Sequence, residues 1–136
     1  MESREVILLD THVLLWLTIE PDRLSRSATS AIRKSLSSGG IAIASISLWE
    51  IAMMIALGRI KAHGTPERWI EELVIKSGVI VKEISATVVA LSTQFPESFP
   101  RDPADRLIAA TARAHGMPLL TRDARIRRCA LLRTIW

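Results

Sequence analysis

Short apolar runs alternate along this chain with stretches whose apolar residues recur every three or four positions. The runs are residues 6–9, 41–44, 79–84 and 118–121, each of strand length and bounded by polar or turn residues. Val6-Ile7-Leu8-Leu9 and Ile41-Ala42-Ile43-Ala44 show no polar alternation, the pattern of strands covered by helices on both faces of a parallel sheet. Residues 132–135 offer a fifth strand. Between the runs, 12–19 is apolar with helical reach and stops before Pro21. Leu24, Ala28, Ile32 and Leu36 fall at intervals of four, predicting a helix over 25–37 that Gly39-Gly40 ends. Ser45 or Ser47 is expected to cap a helix to about Leu57, closed by Gly58. Thr65-Pro66-Glu67 opens a helix to about Lys76, with proline at its first position. Ser85 caps another over about 86–93, and 95–101, with two prolines, reads as a loop. Asp102-Pro103 starts a helix ending near His115-Gly116, and a short helix follows Asp123. Strands alternating with helices predict an α/β fold on a parallel sheet with right-handed crossovers.

Composition narrows the class. At 136 residues the chain is expected to form one domain, residues 1–136, with enough apolar content (49%) for a core of its own. A net charge of +4 and a pI near 10 point to an acidic partner such as nucleic acid or an acidic protein tail. The single cysteine, Cys129, cannot close an internal disulfide, which fits a reducing cytoplasm. Met1-Glu2-Ser3-Arg4-Glu5 lacks the basic flank of a signal peptide, and residues 41–57 are too short to span a bilayer and carry Glu50 at their centre. A soluble, cytoplasmic protein is expected.

Four carboxylates stand out. Asp10 closes the first strand, and ligands in open parallel sheets bind beyond the carboxyl ends of strands. Glu50 lies in Ser47-Leu48-Trp49-Glu50-Ile51-Ala52, a helix with little polar face on which to expose it. Asp105 lies in the first turn of the helix opened by Asp102-Pro103, and Asp123 comes just after the fourth strand. Each has an ordinary structural use: Asp102 and Asp105 form a capping box, Asp123 suits an N-cap, and Asp10 suits a turn. Together they share one edge of the sheet. Residues 101–136 hold eight arginines and only three acids, Asp102, Asp105 and Asp123.

Such acids would repel. Two charges about 6 Å apart cost on the order of 3 kcal/mol at an effective dielectric of 20, so several pairs require a neutralising cation. Oxygen donors without a His/Cys cluster suit Mg²⁺ or Mn²⁺, not Zn²⁺. A carboxylate-held cation beside a basic surface suggests phosphodiester hydrolysis. The chain has no Gly-rich loop ending in Lys-Ser/Thr, which speaks against a nucleoside-triphosphate enzyme.

The motif order Leu-Leu-Asp10-Thr-His-x-Leu-Leu-Trp16, Ser-Leu-Trp-Glu50-Ile-Ala, Asp102-Pro-Ala-Asp105-Arg-Leu-Ile-Ala-Ala-Thr-Ala and Leu-Leu-Thr-Arg-Asp123 resembles the PIN-domain ribonucleases. Within them it is most similar to the VapC toxins of type II toxin–antitoxin systems. The resemblance implies a three-layer α/β/α fold with a parallel sheet of about five strands, and a Mg²⁺- or Mn²⁺-dependent endoribonuclease. It implies Asp10, Glu50, Asp105 and Asp123 as the catalytic quartet, with Asp10, Asp105 and Asp123 on the metal and Thr121 as an orienting hydroxyl. Met54 stands where some relatives carry Lys, and Ala104 where many carry Phe. RNA as substrate, a cognate antitoxin that blocks the acidic pocket, and a toxin homodimer follow as expected partners. Trp16, Trp49, Trp69 and Trp136 offer surface for self-association, or core.

Arg106 and Arg122 adjoin site acids and are the foremost candidates for holding RNA phosphates. Arg113 and Arg133 read as solvated surface, with Arg125 to Arg128 open to either use. Two other functions compete: a catalytically silent nucleic-acid- or partner-binding domain on the same fold, and a phospho-accepting receiver. The receiver requires adjacent acids after strand one and a late lysine, and residues 101–136 contain no lysine.

Overall fold

A computed structural model of the protein describes residues 5–136. The chain runs β1 (Ile7–Leu9), α1 (Thr11–Ile19), a 3-10 turn (Pro21–Arg23), α2 (Arg26–Leu36), β2 (Ile41–Ala44), α3 (Ile46–Ala56) and α4 (Pro66–Ser77). It continues through β3 (Ile80–Lys82), α5 (Ala86–Ser92), α6 (Pro103–His115), β4 (Leu119–Leu120), α7 (Ala124–Arg127) and β5 (Thr134–Ile135). All strands are parallel, in the order β3-β2-β1-β4-β5.

Strand periodicity divides the core in two. Ile7, Leu9, Ile41, Ile43 and Leu120 point to the layer of α1–α4, where Val13, Leu14, Ile32, Ile51 and Leu73 meet them. Leu8, Ala42, Ala44 and Leu119 point to the layer of α5–α7, among Val88, Phe95, Phe99, Ile108 and Ile126. The second layer packs small residues on small: Ala42 and Ala44 of β2 cluster with Ala109, Ala110 and Ala112 of α6, so that helix lies close to the sheet. Every residue of β1 and β2 is buried, which is why neither strand shows polar alternation.

Most helix starts follow the sequence. Ser25, Thr65 and Ser85 each accept a hydrogen bond from the backbone N–H three residues on, at 3.0–3.2 Å. α6 ends on Gly116 at φ 62°, a left-handed position that a Cβ disfavours. Three details differ from the pattern. Neither serine caps α3: Ser45 has helical backbone angles, and Ser47 turns its buried hydroxyl towards Thr11. β3 is shorter than the apolar run 79–84 because it is an edge strand paired only with the four-residue β2. Asp102 caps α6 by accepting from the Ala104 N–H at 2.9 Å, the second residue of the helix and not the third, so it acts as a simple N-cap in place of the expected capping box with Asp105. Of the tryptophans, Trp16, Trp69 and Trp136 pack against the core, while Trp49 is 58% exposed. Among the described residues no helix is long and apolar enough to cross a membrane.

Candidate active site

From β1 the chain steps to β2 and β3 on one side, then crosses to β4 and β5 on the other. The reversal opens a crevice at the carboxyl ends of β1 and β4, where open α/β sheets bind ligands. Asp10 follows β1 there, and Thr121 and Asp123 follow β4. Glu50 arrives from the second turn of α3, and Asp105 from the first turn of α6.

The four acids line one cavity of about 420 Å³, with Asp102, His12, Trp16, Arg122 and Arg125. Asp10 is fixed at both oxygens: Oδ1 accepts the Thr11 N–H and Oδ2 accepts the Thr121 hydroxyl, each at 2.8 Å. Thr121, fully buried, also accepts the Asp123 N–H at 3.1 Å, tying β4 and the start of α7 to Asp10. On the other side the Thr11 hydroxyl donates to Glu50 Oε1 at 2.5 Å and lies 2.8 Å from Ser47 Oγ. A hydroxyl has one proton, so the bond to the carboxylate leaves Ser47 as donor to Thr11. Thr11 thus touches Asp10 through its backbone and Glu50 through its side chain.

Electrostatics sort the acids. Burial pushes the Asp10 carboxyl above its ordinary value, against its bonds from Thr121 and Thr11 and the charge of His12. Burial also raises Glu50, opposed by Thr11 and reinforced by Asp10 and Asp102. Asp105 is pushed up to about 7, first by burial and then by the negative charge of Asp10, Asp102, Glu50 and Asp123. Asp123 goes the other way: desolvation acts upward, but hydrogen bonds and charge from Arg125 outweigh it. The Arg125 guanidinium meets both carboxylate oxygens, at 3.3 and 3.0 Å.

The donors are hard oxygens in a net negative cavity, which fits Mg²⁺ or Mn²⁺ in kind. They stand wider than a closed coordination shell: among the described residues no three His, Cys, Asp or Glu form a group that could hold an ion as they lie. Arg125 occupies the position of a counter-charge on Asp123 instead.

Of the two arginines put forward from sequence, Arg122 lines the cavity with its guanidinium 5.9 Å above the Trp16 ring. Arg106 lies over Phe99, at 5.9 Å. From sequence Thr11 had no assigned role, Ser47 and Asp102 read as helix caps, and Arg125 stood open between a phosphate contact and solvated surface. Thr11 sits 39 positions from Glu50, and no local pattern joins them. Asp102 was legible only as a cap, although it also lines the cavity and raises its neighbours. Arg125 had one available signal, its place two residues after Asp123.

The chain belongs to the PIN-domain family: the family model described as PIN domain matches residues 7–132. It is 42% identical over 123 residues to Ribonuclease VapC22 of Mycobacterium tuberculosis (strain ATCC 25618 / H37Rv), which covers 89% of each chain. Among solved structures it is similar to VapBC2 from Rickettsia felis, bound to a DNA fragment from their promoter, with a TM-score of 0.72 at 18% identity over 95% of this chain and 96% of that one. DNA-bound VapBC from Salmonella typhimurium gives a TM-score of 0.69 at 19% identity over 96% of each chain. At these identities the two structures speak for the fold alone.

Proposed function

We propose that the protein is a Mg²⁺- or Mn²⁺-dependent endoribonuclease, the toxin of a type II toxin–antitoxin pair. The observation that carries this is the meeting of Asp10, Glu50, Asp105 and Asp123 on one cavity at the sheet's switch point. The 42% likeness to a protein named a ribonuclease supports the choice of RNA.

Asp10 and Asp105, with Asp123 once the Arg125 guanidinium turns off it, would hold the cation, which when bound would polarise the scissile phosphate and offset the charge of the leaving oxygen. The chain's own residues do the rest. Thr121 and the Thr11 N–H keep Asp10 in one rotamer, so the site loses little freedom on loading. Glu50, raised by burial and steadied by Thr11, takes the proton of the attacking water. Asp105 holds a proton near neutral pH without a cation and gives it up when positive charge enters. Arg122 and Arg125 stand at the cavity wall to meet phosphate. The partner is a cognate antitoxin that covers the cavity, and two toxin chains pair as a homodimer.

The test is to incubate the pure protein with structured RNA under Mg²⁺, Mn²⁺ or EDTA, beside Asp10→Asn. Cleavage by the wild type with either ion, lost with EDTA and in the variant, is expected. Equal cleavage by both proteins, or none by the wild type, leaves a silent binding domain on the same fold.

A further inference from the structure

A second cavity, of about 370 Å³, adjoins the acidic one between the α5–α6 loop and α7. Arg125 belongs to the lining of both. Arg128, the residue that caps the end of α7, lies three positions on in the same lining, and Ser98 and Phe99 close the loop side. The lining contains two guanidinium groups and no acid. Another cavity that shares Glu50 and Asp102 with the site, about 610 Å³, is of mixed charge, with Glu20, Glu50 and Asp102 beside Arg59 and Lys61.

We propose that the Arg125–Arg128 cavity is a subsite for the RNA backbone next to the scissile bond, holding a phosphate outside the acidic pocket. This rests on the ribonuclease reading above. A polyanion entering a carboxylate cavity is repelled, and flanking cations must offset that repulsion. Of these two neighbouring cavities only the α7 one has no carboxylate in its lining; Arg125 is already clasped by Asp123 from the acidic cavity, and Arg128, whose Nε donates to the Ala124 carbonyl, adds a second guanidinium. Its wall is formed in advance: Phe99 is buried and stacked on Phe95 with ring centroids 4.4 Å apart, and Arg106 covers the Phe99 ring. A rigid wall and exposed guanidinium groups suit a bound phosphate. Because Phe99 is buried it offers no face for base stacking, so this subsite reads backbone and not sequence.

The test measures affinity apart from cleavage. Asp10→Asn, which leaves the strand uncut, is combined with Arg125→Ala, Arg128→Ala or Arg128→Glu. Binding of two labelled single-stranded RNAs of unrelated sequence is followed by fluorescence anisotropy over a range of salt. Each alanine is expected to weaken binding about 3- to 10-fold at low salt, equally for both RNAs, and to reduce the slope of log Kd against log salt by about 0.7. Arg128→Glu is expected to weaken it further, and Arg33→Ala, on exposed α2, to leave it unchanged. Unchanged melting midpoints show that the variants fold. Binding by Arg128→Ala equal to its parent, a loss confined to one RNA sequence, or an equal loss in Arg33→Ala overturns the proposal. So does a variant that loses antitoxin but keeps RNA, which would assign the cavity to the protein partner. If wild type cuts no RNA but arginine-dependent binding persists, the nuclease reading falls, the place beside a scissile bond falls with it, and only the phosphate-binding role of the cavity stands.

Discussion

Replacing Asp105 by asparagine should make the metal-free protein more stable, although it removes a residue of the site. Asp105 titrates near 7 instead of its ordinary 3.8, because it is half-buried among Asp10, Asp102, Glu50 and Asp123. A carboxyl with a raised folded-state value takes up protons on folding, so its stability contribution is intact below about 3.8. That contribution is lost as pH rises through about 7. Three pKa units correspond to about 4 kcal/mol for an isolated, fully buried group. Asp105 opens onto the cavity, and solvent screening brings the figure to about 1–2 kcal/mol at pH 8. For a domain of this size that is a rise of about 3–8 °C in melting midpoint. Calorimetry of wild type and Asp105→Asn at pH 4 and pH 8 in EDTA, then at pH 8 with excess Mg²⁺, isolates the effect. The variant should exceed the wild type at pH 8, match it nearly at pH 4, and lose most of its advantage when Mg²⁺ stabilises the wild type. A variant no more stable than wild type at pH 8, or a gap independent of pH, refutes the account of mutual repulsion.

Two further outcomes follow from packing and hydrogen bonding. Thr11→Val leaves Ser47 and Glu50 without the shared hydroxyl and should cost about 1–3 kcal/mol, with a fall in kcat at little change in KM; Thr11→Ser should restore both, as read by denaturant melts and RNA cleavage rates. Ala109→Leu forces bulk between α6 and the alanines of β2 and should cost about 1–3 kcal/mol in urea unfolding, while Leu107→Met, on the partly exposed side of α6, should cost under about 1.5 kcal/mol.

What could be read from residues alone depended on how local its cause was. β1 and β2 announced themselves because a strand buried on both faces has only apolar positions, and Thr65 and Ser85 because a cap acts within three residues. β3 was overextended because the length of an edge strand is set by its neighbour. The site divides the same way. Asp10, Glu50, Asp105 and Asp123 were visible through their place beside strand ends and helix starts. The hydroxyl of Thr11 and the clasp of Arg125 on Asp123 were not, since each depends on which way a side chain turns after packing. Arg106 was put forward on its adjacency to Asp105, but helical geometry turns neighbouring residues about 100° apart, and its guanidinium lies on Phe99 outside the lining of the acidic cavity.

The bond from Thr121 to Asp10 spans 111 residues. During synthesis at about 5–20 residues per second, roughly 6 to 22 s pass between the appearance of the first acid and of the threonine that holds it. No nascent or prematurely terminated chain ending before Asp123 contains the complete acidic cavity. A message broken upstream of the Asp123 codon therefore encodes a fragment that lacks at least one of the four acids placed at the site by the proposed function.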